Sequence, residues 1–398
     1  MKATFTHRLM ASTTLALASS LFAGSAYAVS SDPAAKDDTG NKGKTIYVSK
    51  LGDDSDGTSW RKAFHTIQAA LSAVPDNKGG HQIIVRPDRY VEANLAPAYP
   101  GAAGAYNALI GDFDASLGSG AKGWVLLDSG DPEKGFKSWD WWGPFRATDK
   151  NWPTGNKTGK TFSAIVCDRW IFRNMYTAGG DAGLFWDLTN KSGEGFTVIV
   201  EDCIGTGRAF GGGLAYPVVR PREPSVFRRC YFLALDYVGD TSAVLMGGWE
   251  KTMPKYPHAI FEDCTMVHSD NAVAMSYAAN CTRVKCVNCR MIVLNFTQPE
   301  MGGKSTGILC TEGHGPGGHL HVDLEDCILA GYSVLTPGKE SSVASYTTKG
   351  KVQAYVQFKQ TVPPGFQRLG LWPTELFSQM APPRTPDELK IRPARAAK

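Results

Sequence analysis

Three aspartates, Asp236, Asp240 and Asp270, stand just ahead of two short apolar bursts, SAVLMGG at 242–248 and NAVAMSY at 271–277. Carboxylates brought together either share a hard cation such as Ca²⁺, or one of them keeps its proton and becomes a general acid. Asp240 and Asp270 hold comparable places in their segments. If those segments are neighbouring strands, the two backbones lie about 5 Å apart. Arg208 opens a third burst, RAFGGGLAY, and Lys304 precedes a fourth, TGILCTE. Either is a candidate general base where burial or neighbouring positive charge lowers its pKa. At the far ends of the bursts come Trp186, Asp187, Trp249, Glu250, Tyr277, Glu312 and His314. Rings and hydrogen-bonding groups of this kind hold a ligand with flat apolar faces and polar edges. Each acid taken singly also suits an ordinary turn.

The elements that must position these residues follow from a repeat. FRNM (172–175), VEDC (200–203), FRRC (227–230), FEDC (261–264), VNC (287–289) and LEDC (324–327) share one pattern, an apolar residue, polar residues, then Cys or Met. A recurrence in the twenties and thirties with elastic insertions is the signature of a solenoid. Each unit carries an apolar burst downstream and a short strand before the cysteine: FTVIVED, SVFRR, AIFED, RVKCVN and HLHVDLED. Three short strands per turn, separated by Gly, Asn and Asp, describe a coil of a parallel β-helix. In HLHVDLE the alternation is explicit, with Leu320, Val322 and Leu324 facing in and His319, His321, Asp323 and Glu325 facing out. Met175, Cys203, Cys230, Cys264, Cys289 and Cys327 then form an interior ladder. Stacked side chains point the same way, which favours free thiols over bridges. Cys281, Cys286 and Cys310 fall outside it.

Totals and termini bound the rest. The chain has 398 residues, 9 cysteines and a net charge of +4. So small a charge provides no basic-patch argument for nucleic acid or for a membrane surface. Lys2 and Arg8 precede an apolar run that ends in Ala26-Tyr27-Ala28, the pattern of a secretory signal peptide cut after Ala28. Residues 29–44 read as a polar spacer, 45–345 as one β-helix domain, and 346–398 as a strand followed by a Pro-rich tail. Residues 93–160 fit the repeat least and contain the aromatic stretch SWDWWGPFRATDKNW. Its tryptophans serve equally as a sugar platform or as a loop mini-core. His314, His319 and His321 invite a metal reading, but no Cys or Glu spacing completes a familiar set.

The segment TIYVSKLGDDSDGTSWRKAFHTIQAALSAVPDNKGGHQIIVRPDRYVE (45–92) resembles the opening of pectate-lyase-like right-handed parallel β-helix proteins. Such openings run from a strand ending Y-V-S through an acidic Gly-rich loop to a helix of the F-x-T-I-Q-A-A-L type and then I-x-V-x-P-x-x-Y. Phe64, Ile67, Leu71 and Val74 would share one helical face and cover the end of the solenoid, with HQIIVRP as its first strand. The resemblance implies an all-β, single-domain right-handed parallel β-helix with an N-terminal capping helix. It also implies sugar polymers lying across the sheet formed by the apolar bursts, which makes the polar residues at the margins of that sheet the candidates.

Three functions follow. A polysaccharide lyase acting on a uronate polymer would use Ca²⁺ on Asp236, Asp240 and Asp270, with Lys304 or Arg208 as base. A glycoside hydrolase would use Asp240 and Asp270 as acid and base. SDNAVAM resembles the G-D-D-C-I-A-I element of polygalacturonases and TEGHG their G-H-G, although Asn271 replaces one acid of the pair. A non-catalytic carbohydrate binder would use the aromatic residues. Lyase is the leading expectation, for a secreted or periplasmic monomer whose partner is an extended polysaccharide.

Overall fold

The computed structural model describes residues 43–92, 95–128, 168–178, 182–187, 196–207, 210–215, 217–234, 242–248, 250–268, 273–277, 281–293, 307–309, 319–331, 333–335, 343–356 and 362–369. The expected signal segment 1–28, most of the expected spacer and the SWDWWGPFRATDKNW stretch lie outside these residues. Three parallel sheets of ten, ten and six strands, here A, B and C, share the described strands. The chain visits them in rotation. Ala259–Glu262 lies in sheet A, Thr265–His268 in B and Val273–Tyr277 in C, before Cys281–Val287 returns to A one coil further on. Parallel strands joined by such crossovers wind right-handed, and this chain is a right-handed parallel β-helix. No helix among the described residues is long and apolar enough to cross a membrane.

The corner between sheets A and B is one residue in the left-handed region, repeated as Asn174, Asp202, Arg229, Asp263, Asn288 and Asp326, with φ between 51° and 57°. Asn and Asp tolerate this conformation better than other L-residues. The next residue turns inward, and Met175, Cys203, Cys230, Cys264, Cys289 and Cys327 are all buried. The described cysteines are free. Each thiol lies between a carbonyl of its own coil and one a coil back: Cys203 between Glu201 and Phe172, Cys230 between Arg228 and Val200, Cys264 between Glu262 and Phe227, Cys289 between Val287 and Phe261, and Cys327 between Glu325 and Cys286. Beside the sulfur ladder the register aligns Ile83, Leu109, Phe172, Val200, Phe227, Phe261, Cys286 and Leu324 on the inner face of sheet A. Phe227 and Phe261 stack with ring centroids 4.7 Å apart. Cys286 therefore belongs to a second interior stack, as its place off the ladder required. In the strand His319–Glu325 the alternation is as expected, with Leu320, Val322 and Leu324 in the core.

Several boundaries differ from the sequence reading. The first strand is Thr45–Val48, which pairs with Gln82–Val85, so HQIIV is the second strand of sheet A. The helix is a short one, Ile67–Ser72. Its N-cap Thr66 accepts from Ala69, and Glu92 accepts the N–H groups of Ile67 and Gln68. Ile67, Leu71 and Val74 are buried as expected, but Phe64 precedes the helix and bridges to Val48. At the other end, Val343–Lys349 extends sheet A, and Gln353–Val356 and Gln367–Leu369 extend sheet B. The solenoid thus continues past residue 345. The boundary read at residue 345 falls inside the strand Val343–Lys349.

Candidate active-site margin of sheet C

Sheet C holds the apolar bursts as strands: Ala182–Asp187, Phe210–Ala215, Ser242–Gly247, Val273–Tyr277, Gly307–Leu309 and Ser333–Leu335. The register aligns Trp186, Leu214, Met246 and Tyr277 on one line. Leu214 and Met246 are fully buried members of the core. The side chains of Trp186 and Tyr277 lie outside the described residues, and the register gives only their places on this line. The neighbouring line is Phe185, Gly213, Leu245 and Ser276. Gly213 has φ +150°, and a Cβ built there would lie 2.0 Å from the Leu245 carbonyl oxygen, so only glycine fits. The strand Ser242–Gly247 is buried at all six positions. That strand is therefore covered on both faces.

Arg208, Asp236, Asp240, Asp270, Lys304, Trp249, Glu312 and His314 lie outside the described residues, as do the Ca²⁺ ligands expected among them. His268, at the entering margin, is fully buried at the end of its strand and is no surface group. Among the described residues no cluster of three or more His, Cys, Asp and Glu could hold a metal.

The described part of the leaving margin is built by the loop that follows Gly247. Gly248 donates its N–H to Thr282 Oγ1 at 2.8 Å. A Cβ at Gly248 would sit 2.5 Å from the Cys281 carbonyl oxygen and 2.7 Å from His258 Nε2, so glycine lets the loop press against the next coil. Glu250 then forms an antiparallel bridge with Cys281, whose N–H donates to the Glu250 carbonyl at 2.7 Å. This pairing turns the Glu250 side chain back over His258, which stands immediately before the strand Ala259–Glu262.

His258 is fixed from both sides. Nδ1 lies 3.1 Å from the Arg283 N–H and 3.3 Å from the Arg283 carbonyl oxygen, and Nε2 donates to Glu250 Oε2 at 2.5 Å. The imidazole has no exposed surface, whereas the carboxylate is 28% exposed. The result is a carboxylate at the rim of the sheet, backed by a buried N–H. Such a pair can take or deliver one proton at Glu250 while His258 keeps the carboxylate oriented. Burial, with the Glu250 charge nearby, pushes the Cys281 thiol above its ordinary pKa, so it stands beside the pair as a neutral group. Glu250 is among the leaving-margin residues named from sequence. His258 is not, because it sits in the inter-strand loop YPHA and belongs to no repeat. Its one sequence signal is its place directly before the start of AIFE.

No family model matches the chain, and no curated protein matches it. Solved structures do. The pectate lyase Pel9A aligns with a TM-score of 0.49 at 13% identity, over 82% of this chain and 74% of that one. A pectin methylesterase from carrot aligns at 0.40 and 12%, over 90% and 97%, and pectin methylesterase PemA from Erwinia chrysanthemi at 0.34 and 12%, over 86% and 96%. The chain shares the right-handed parallel β-helix with them. At such identities the likeness concerns the winding of the chain alone, and the strand pairing carries that assignment by itself.

Proposed function

We propose that this chain is an exported, carbohydrate-active β-helix protein that acts on an extended acidic polysaccharide at the margins of sheet C, by β-elimination. The observation that supports this most directly is the Glu250–His258 pair, a proton-handling group on the rim of a sheet whose strands repeat about every 4.8 Å. A ladder of that kind offers equivalent positions to successive parts of a long polymer. Elimination from a uronate requires that its carboxylate be neutralised and the C5 proton removed. In this reading Asp236, Asp240 and Asp270 would hold a Ca²⁺ that supplies the neutralising charge. Lys304 or Arg208 takes the C5 proton, Glu250, oriented by His258, passes a proton to the departing glycosidic oxygen, and Trp186, Trp249, Tyr277, Glu312 and His314 contact the sugar. Cleavage after Ala28 delivers the mature chain to the periplasm or the medium, as a monomer.

Hydrolysis is the second reading, and the same pair favours it. A carboxylate held by an N–H donor suits a general acid or base, with Asp240 and Asp270 completing the set. A carboxylate separation of about 5 Å would make such an enzyme retaining and about 6.5–9.5 Å inverting.

One assay distinguishes these readings. The mature chain is incubated with a panel of uronic-acid polymers, with Ca²⁺ or with chelator. New ultraviolet absorbance from an unsaturated sugar end, lost with chelator, supports the lyase. New reducing ends without that absorbance support the hydrolase. Binding without either product leaves a carbohydrate-binding protein and removes both enzymatic readings.

A further inference from the structure

On the outer face of sheet A, a different face of the solenoid, four side chains converge around one hydroxyl. Ser345 Oγ lies 2.7 Å from His321 Nδ1 and 2.7 Å from His319 Nε2. His321 Nε2 lies 3.2 Å from Asp323 Oδ1. The register places Ser345 directly beside His321, with His319 and Asp323 two residues to either side on the same strand. All four therefore project from one face of the sheet. Asp323 is itself held by Arg283, through Nε at 2.7 Å and Nη2 at 3.0 Å, and by the Thr347 hydroxyl at 2.5 Å.

The proton positions follow from this geometry. Burial alone would raise the pKa of Asp323, but hydrogen bonds from His321, Arg283 and Thr347 outweigh it and hold the carboxyl well below its ordinary range. Asp323 is therefore an acceptor, and His321 carries its proton on Nε2. Its bare Nδ1 accepts the Ser345 hydroxyl proton. The free lone pair of Ser345 Oγ then receives the Nε2–H of His319, whose pKa is lowered by burial and by His321, so that it stays neutral. A nucleophile hydrogen-bonded to a base, with the base oriented by a third group, is the arrangement of covalent acyl transfer.

We propose that Ser345, His321 and Asp323 form a second active site that hydrolyses carboxylic esters, with His319 as the nearest donor to the developing oxyanion. In the first step the Ser345 Oγ–H proton passes to His321 Nδ1 and Oγ bonds to the acyl carbon. The ester C–O bond then breaks, and the alkoxide leaves with the proton from His321. Water repeats the sequence, with its proton going to His321 and then back to Ser345 as the acid departs. No oxidant or cofactor is needed. The flanking rung carries Lys285, Glu325 and Lys349, paired with one another at 3.2 Å and 2.6 Å. A partly exposed array, with the His321 side chain 16% and that of Asp323 21% exposed, on such a charged face suits a short acyl group displayed on a larger polar molecule, such as an acetyl ester.

The test is covalent labelling of the mature, full-length chain with a fluorophosphonate, followed by peptide mapping. The expected result is one adduct at Ser345, absent in Ser345→Ala and formed at least tenfold more slowly in His321→Gln, with unchanged urea midpoints. Hydrolysis of 4-nitrophenyl acetate should fall in parallel. Failure of the folded wild-type protein to take the label at Ser345 overturns the proposal without recourse to any variant. Labelling of His321→Gln at the wild-type rate overturns it as well, because the hydroxyl would then be reacting unassisted.

Discussion

At the scale of single residues, the Glu250–His258 pair separates stability from chemistry. His258 is fully buried and satisfies two partners, the Arg283 N–H and the Glu250 carboxylate. His258→Ala leaves a void and an unsatisfied buried donor, and should cost about 2–4 kcal/mol in urea unfolding. Glu250→Gln keeps the shape of a half-exposed side chain and an acceptor oxygen for His258 Nε2–H. It should cost under about 1 kcal/mol. If Glu250 handles the proton in polymer cleavage, that same mild variant should lower turnover by about a hundredfold or more. Loss of stability in Glu250→Gln comparable to His258→Ala, with turnover retained, would make the pair a structural clasp. A close approach governs the neighbouring position too: with no room for a Cβ at Gly248, the loop lies near enough for the clasp to form at all.

Corners and strands make a second set of commitments at the scale of elements. Asp263 occupies one left-handed corner with φ 55° and accepts from Asn288 Nδ2 at 2.6 Å. Burial raises its pKa, so the folded state disfavours the charge. A carboxyl whose folded pKa lies above its unfolded value weakens the fold as pH climbs from the unfolded value, about 4, through the folded one. Asp263→Asn removes that charge and still accepts the left-handed conformation. Its urea midpoint should exceed wild type at pH 7, and the gain should vanish near pH 3. Gly213→Ala meets the Leu245 carbonyl in the next strand of sheet C and should destabilise by about 3 kcal/mol. These same elements show what could be read in advance. The cysteine period and the strands before it were legible because one inner face is apolar and the outer face is charged, as in HLHVDLE. The strands after each cysteine, such as Tyr231–Ala234 and Arg290–Val293, are four residues long and buried on both faces, so they show no alternation to read. His258 was illegible for a different reason: it sits in the loop between Gly248 and the strand Ala259–Glu262, where spacing follows no period, whereas most of the residues expected at the site lie outside the described residues.

For the whole molecule the decisive feature is a column of sulfur through six successive coils, from Met175 to Cys327. Cys203, Cys230, Cys264, Cys289 and Cys327 are buried and unbridged, and each thiol lies between a carbonyl of its own coil and one a coil back. Neighbouring Cα atoms about 4.8 Å apart fall inside the range that permits a disulfide, but stacked side chains lack the torsion near 90° that the bond requires. Bridging two rungs would swing both sulfurs off their carbonyl acceptors and open the core on either side. Burial also pushes the Cys203, Cys264 and Cys327 thiols above their ordinary pKa, so little thiolate forms there. At Cys289 burial is outweighed by hydrogen bonds from Cys264, Cys286 and Cys327, which lower its pKa, and burial alone keeps it from reagents. Under oxidising conditions the chain would then keep these thiols reduced by folding around them. The prediction is that iodoacetamide leaves these five cysteines unmodified in the native protein and alkylates all five in denaturant, as read by peptide mass mapping. The order of events matters as well: protein oxidised while unfolded should fail to regain native circular dichroism until a reductant is added, whereas protein folded first should withstand the same oxidant. Recovery of a native spectrum with a bridge mapped between any two of the five would mean that the coils do not stack their thiols in one direction.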